Sequence, residues 1–177
     1  MGPRSLLVAL VVGMLTLGIA VPASADTTGI TTATITVEGG ALAITVPADA
    51  GNLGTRPNSV GGGTISGSLG QVQVSDARSA AAGSGWVASV ISTAFTPPAG
   101  PAIAASAVGY TAGTIIKVGT ATYTANDPAN LTGVAPAVTA TGITGDNSAT
   151  WSPTINVAVP GGMAAGVYSA TITHSVV

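Results

Sequence analysis

Val72-Gln73-Val74-Ser75-Asp76-Ala77-Arg78, followed shortly by Gly85-Trp86-Val87-Ala88-Ser89-Val90, is the stretch on which the fold turns. In a strand, successive side chains point to opposite faces. Val72, Val74, Asp76 and Arg78 therefore share one face, and the two valines mark it as the buried one. A carboxylate placed there costs several kcal/mol unless it is paired. Only 6% of the residues are charged. Two of these few charges sit together on an apolar face, so Asp76 and Arg78 are expected to pair and to fix the region around Trp86. Loop backbone N–H groups and His174 are further candidate donors to Asp76.

The same alternation recurs outward in both directions. Ala33, Ile35 and Val37 alternate with threonines; Glu38-Gly39-Gly40 supplies a turn; Leu42, Ile44 and Val46 alternate again up to Pro47. This spacing predicts a β-hairpin. Strands are expected at 71–75 and 86–93, near Ile65, and weakly around 115–118, 121–124 and 138–141. At the far end, Trp151, Pro153, Ile155, Val157 and Val159 share one face. After Pro160-Gly161-Gly162, Tyr168, Ala170, Ile172, His174 and Val176 share another. The two runs read as a terminal antiparallel hairpin. Helical periodicity is nearly absent after residue 25, and Gly and Pro interrupt every apolar run. The expected architecture is all-β: a single antiparallel β-sandwich with Greek-key-like connections.

The first residues have a different character. Arg4, an apolar run over 6–19 and the small-residue motif Ala23-Ser24-Ala25 read as an N-terminal signal peptide, residues 1–25. Cleavage is expected between Ala25 and Asp26, leaving one domain over 26–177 that is secreted and extracellular. Cysteine is absent, so this domain must be held by packing alone.

Composition bounds the partners. There is no basic patch, which speaks against nucleic acid and, after signal cleavage, against an anionic membrane surface. A surface this poor in charge opposes self-association weakly. Enzymatic chemistry lacks its usual constellations. A Ser/His/Asp triad would have to use His174, no Gly-x-Ser-x-Gly elbow exists, and Gly61-Gly62-Gly63 lacks the Lys-Ser/Thr of a phosphate loop. One histidine and no cysteine do not make an ordinary metal site, and Asn126-Asp127 and Asp146-Asn147 read as turn residues. The chain is expected to be no enzyme and to need no cofactor or metal.

In order and spacing, several motifs resemble the WxL domain of Gram-positive surface proteins. They are Leu42-Ala43-Ile44-Thr45-Val46-Pro47, Leu69-Gly70-Gln71-Val72-Gln73-Val74-Ser75-Asp76-Ala77-Arg78, Gly85-Trp86-Val87-Ala88, Trp151-Ser152-Pro153 through Val157-Ala158-Val159-Pro160, and Ala165-Gly166-Val167-Tyr168-Ser169-Ala170-Thr171-Ile172-Thr173. The first Trp-x-Leu position is Trp86-Val87-Ala88, and the second falls at His174-Ser175-Val176. The resemblance implies an all-β cell-surface protein bound non-covalently to peptidoglycan or another wall polymer. Trp86, Asp76, Arg78 and His174 are the candidate wall-binding residues, with Trp86 stacking on a sugar ring. No Leu-Pro-x-Thr-Gly sorting signal follows the last strand, which fits attachment without a covalent link. The skew towards Ala, Gly, Thr and Val points to a GC-rich genome such as an actinobacterium's. Two alternatives stand beside this reading: a subunit that assembles with itself into a surface layer or filament, and a docking partner for another surface protein.

Overall fold

The structure, a computed structural model, describes residues 29–177. The expected signal peptide and its cleavage site lie outside them. The chain divides into two compact units, Met1–Thr36 and Val37–Val177. Of the first, residues 29–36 are exposed and carry no strand. The second is all-β, with one 3-10 turn at Ala105–Ala107. Among the described residues no helix is long and apolar enough to cross a membrane.

Eight strands form two antiparallel sheets. In chain order they are β1 (Leu42–Thr45), β2 (Gly63–Ser68), β3 (Val72–Ser92), β4 (Val108–Thr111), β5 (Ile116–Ala125), β6 (Ala135–Trp151), β7 (Thr154–Val159) and β8 (Ile172–Val176). The larger sheet runs β1-β3-β6-β5, with β8 also on β3; the smaller runs β2-β7-β4. The two pack face to face as a β-sandwich. β3 and β6 form its spine. Val72, Val74, Ala88, Val90, Val138, Ile143 and Ala149 point inward from them with essentially no exposure, against Val108, Tyr110 and Ile155 of the opposite sheet.

Neither expected hairpin forms. Residues 33–36 make no ladder; β1 is only four residues long and pairs with β3, Leu42 opposite Asp76. Gly39 and Gly40 do not turn the chain back on itself. They lie flat on β3, where Gly40 donates its N–H to the Ala77 carbonyl and a side chain on Gly39 would crowd Arg78. At the other end, β7 lies in the small sheet between β2 and β4, while β8 crosses to β3. The break is at Ser152-Pro153. Proline has no N–H for a ladder, and the Pro153 carbonyl accepts from Leu69 as the chain turns the corner between sheets. The inward face itself is as expected, since Trp151, Pro153, Ile155 and Val157 are all buried. The one pair of consecutive strands that does zip together is β5–β6, in the least legible part of the sequence. Strand β4 gave no sequence signal, and the expected strands at 71–75 and 86–93 are two halves of the single bulged β3.

A short hydrogen-bond chain ties the layers together. Trp151 Nε1 donates to the Tyr110 hydroxyl (2.7 Å), which lies 3.3 Å from His174 Nε2. Tyr110 belongs to the small sheet; Trp151 and His174 belong to the large one. An indole N–H can only donate, so the tyrosine oxygen accepts from it, while the histidine tautomer sets which group donates between the phenol and the imidazole. Removing the hydroxyl with Tyr110→Phe should cost about 2 kcal/mol, because the buried Trp151 N–H and the half-buried His174 ring both lose their bond. Urea unfolding of the two proteins measures this.

Candidate functional site

The acid–base pair singled out in the sequence is formed. Asp76 is 1% exposed. Arg78 grips it with two parallel bonds, Nε to Oδ1 at 2.8 Å and Nη2 to Oδ2 at 2.9 Å, the strongest geometry available to this pair. The Arg78 backbone N–H adds a third bond at 3.1 Å, so the expected loop N–H donor is that of the arginine itself. The hydrogen-bonded guanidinium holds the Asp76 carboxyl down at about 2 although burial opposes this, and the aspartate in turn raises Arg78.

Strict alternation would send Arg78 inward with Asp76. Instead β3 bulges. Between the pairs Asp76–Asn147 and Trp86–Ala140, β3 uses more residues than β6 does, with register shifts at each step and Ser79 at φ 52°. The bulge releases Arg78 to the rim, where its side chain is 37% exposed and its head folds back over Asp76, also reaching the Gly85 carbonyl. Gly85 is required where β3 closes up again: a Cβ there would sit 2.6 Å from the Ala140 carbonyl oxygen.

Behind the ion pair lies a residue the sequence reading placed in a turn. Asn147 is in β6, directly opposite Asp76 and 6% exposed. Its Nδ2 donates to Asp76 Oδ2 at 3.3 Å, while its Oδ1 accepts from Trp86 Nε1 and from the Tyr123 hydroxyl, both at 3.1 Å. The Trp86 and Tyr123 rings stand 5.7 Å apart, tilted. Arg78, Asp76, Asn147, Trp86 and Tyr123 thus form one continuous network across β3, β6 and β5. Among the described residues no buried side-chain polar atom lacks a partner. A signal for Asn147 was available: it shares the parity of Ala149 and Trp151 and hence their inward face.

Two expectations need correction. Trp86 is 2% exposed. It shares the interior with Ala88 and Val90, and its ring has no face open for a sugar to stack on. His174 contributes nothing to Asp76; its partner is Tyr110, whose ring it meets edge-on at 5.7 Å. Burial pushes His174 down to about 4, so it is neutral at ordinary pH. Of the four candidate residues, Asp76, Arg78 and Trp86 come together and His174 stands in the inter-sheet chain instead.

What the network does present is a shallow groove of about 230 Å³ on its outer side, lined by Ser75, Asp76, Val118, Asp146, Asn147 and Ser148. Ser75, Val118 and Asp146 are exposed. Asp146 Oδ1 holds the bulge by accepting from the Ser79 N–H at 3.0 Å. Among the described residues no cluster of three or more His, Cys, Asp or Glu side chains is placed to hold a metal ion. No protein-family model matches the chain, and no curated protein matches it in sequence.

Two outcomes follow. Asp76→Ala strands Asn147 and the arginine and should lower stability by about 3 kcal/mol, a drop in melting temperature of about 10 °C by circular dichroism. Acid should act in two stages. Unfolded His174 takes up a proton from 6.5 downward, whereas the folded one resists to about 4, so stability falls between those values; Asp76 adds a second loss as pH falls from 3.8 towards 2. His174→Gln should flatten the first stage and spare the second, as read from urea midpoints against pH.

Proposed function

We propose that the protein is an exported, non-enzymatic β-sandwich of a Gram-positive cell surface, WxL-like in its landmarks, that associates with the peptidoglycan wall without a covalent link. The observation that carries this reading is the groove outside Asp76 and Asn147. Its floor is held by a fully bonded polar network, and its rim mixes the Ser75 and Ser148 hydroxyls, the Asp146 carboxylate and the exposed methyl groups of Val118. A glycan offers hydroxyls and amides on its edges and C–H groups on its faces, and a rim of this kind matches both. With 6% charged residues, attraction at long range is weak and binding relies on contact.

This assigns the work to the groove and a supporting role to the indole. Trp86 orients Asn147 from behind, and Arg78 pins the carboxylate. Pre-set polar groups lose little conformational freedom on binding, which is how a shallow site retains a polymer that touches many copies of it at once.

Sedimentation with purified peptidoglycan should carry the protein down at low and moderate salt. Asp146→Ala should weaken retention about tenfold through loss of a hydrogen bond to a charged group. Trp86→Phe, in protein shown to be folded, should weaken retention less than Asp146→Ala, because the Tyr123 hydroxyl still orients Asn147. Protein that stays in the supernatant at both salt levels would refute the reading.

A further inference from the structure

Three of the four most exposed large apolar side chains among the described residues fall in one short stretch, the fourth being Val60. Ile30, Ile35 and Val37 are 96%, 91% and 83% exposed, and they belong to one stretch, Ile30-Thr31-Thr32-Ala33-Thr34-Ile35-Thr36-Val37. Its composition is that of a strand, rich in β-branched residues with period-two alternation and no charge. Among the described residues nothing pairs with it. A strand sequence left without a sheet has its backbone groups and its isoleucines in water, and both favour a sheet edge.

The sandwich carries one long open edge. β5 has ten residues and, among the described residues, pairs only with β6. Ile116 and Val118 on it are each 66% exposed. The other edges are poorer. β4 is flanked by residues 128–131, with the Pro128 carbonyl accepting from Tyr110. β2 is shorter, and Leu53 and Arg56 fold against its glycines. β1 has four residues. Lys117 would ordinarily guard the β5 edge against a stranger strand. Here the free stretch ends at Val37-Glu38, which supplies the matching charge.

We infer that residues 30–37 of one copy add as an antiparallel strand to the outer edge of β5 in a second copy. In antiparallel pairing, opposed residues share a face. One register sets Glu38 opposite Lys117 and Val37 opposite Val118. It places Ile35 and Val37 diagonally over Val118 and Ile116, all on one face, with the charge pair on the other. In this register Glu38 cannot reach Lys117 of its own chain. Gly40 is fastened to Ala77 of β3 on the β1 side, and two residues span at most about 7 Å. Four strand spacings, about 19 Å, separate that position from the outside of β5. The contact is therefore head-to-tail and leaves a free strand at one end and a free edge at the other, so it propagates. It does not rest on the wall-binding reading: the groove and this edge share Val118, but Glu38, Lys117 and residues 30–37 lie outside the groove.

The absence of native cysteine gives a clean test. Glu38→Cys and Lys117→Cys proteins, each purified as the cell releases it and then mixed under mild oxidation, should yield a disulfide-linked dimer that neither gives alone in comparable amount. Light scattering over a concentration series should show the parent protein growing beyond a dimer. Ile35→Asp should abolish growth, and Lys117→Glu should weaken it about fivefold, with Glu38→Lys restoring it in the double variant. All these positions are exposed, so melting temperatures should be unchanged. A mixture that links no better than its separate components, or growth indifferent to both charge reversals, would overturn the proposal.

Discussion

Everything near the groove depends on one buried carboxylate. Asp76 sits on the inward face of the central strand, where water cannot reach it, and it is kept ionised by two guanidinium bonds, one backbone N–H and one amide. A lone charge in that position would be intolerable; a charge with four donors organises its surroundings. The amide that serves it is oriented by an indole and a phenol, and those in turn fill the space beneath β5. The bulge in β3 is part of the same arrangement. It moves Arg78 from the interior to the rim without moving Asp76, so one strand provides both a buried acid and a half-exposed base.

Much of this was legible from period-two alternation. The inward sets Val72-Val74-Asp76, Trp86-Ala88-Val90 and Trp151-Ile155-Val157 are all interior, because side-chain direction in a strand is local. Which strand lies beside which is not local, and there the reading failed. Gly39-Gly40 has the composition of a turn, yet its value lies in letting the chain approach the β3 backbone closely. Pro160-Gly161-Gly162 does reverse direction, but it leads from one sheet to the other. Pro153, read as one more position of an unbroken strand, is a corner between layers.

The site shows the same division. Asp76 and Arg78 stood out because charge is scarce in this chain and theirs lay on an apolar face. Alternation alone does not decide Trp86, since Val87 and Ile91 make its opposite face nearly as apolar as its own. Asn147 was missed because Gly145-Asp146-Asn147 looks like any turn. Only the ladder with β3 places its side chain against the carboxylate. The partner of His174 is a tyrosine from the other sheet, a pairing that no spacing along the chain encodes.

The order in which strands enter the sheets has a kinetic consequence. β3 is made early and β1 precedes it, but its other neighbours are β6 and, last of all, β8. The edges of β3 therefore stay incompletely paired until about eighty further residues have been added or delivered. Pairings so distant along the chain close slowly, because the intervening loop loses its freedom before any contact compensates. Such a polypeptide remains unfolded for longer after synthesis than a helical one of equal length. In that interval its valine-rich centre lies open to water, the condition in which β-rich chains are most prone to wrong pairing.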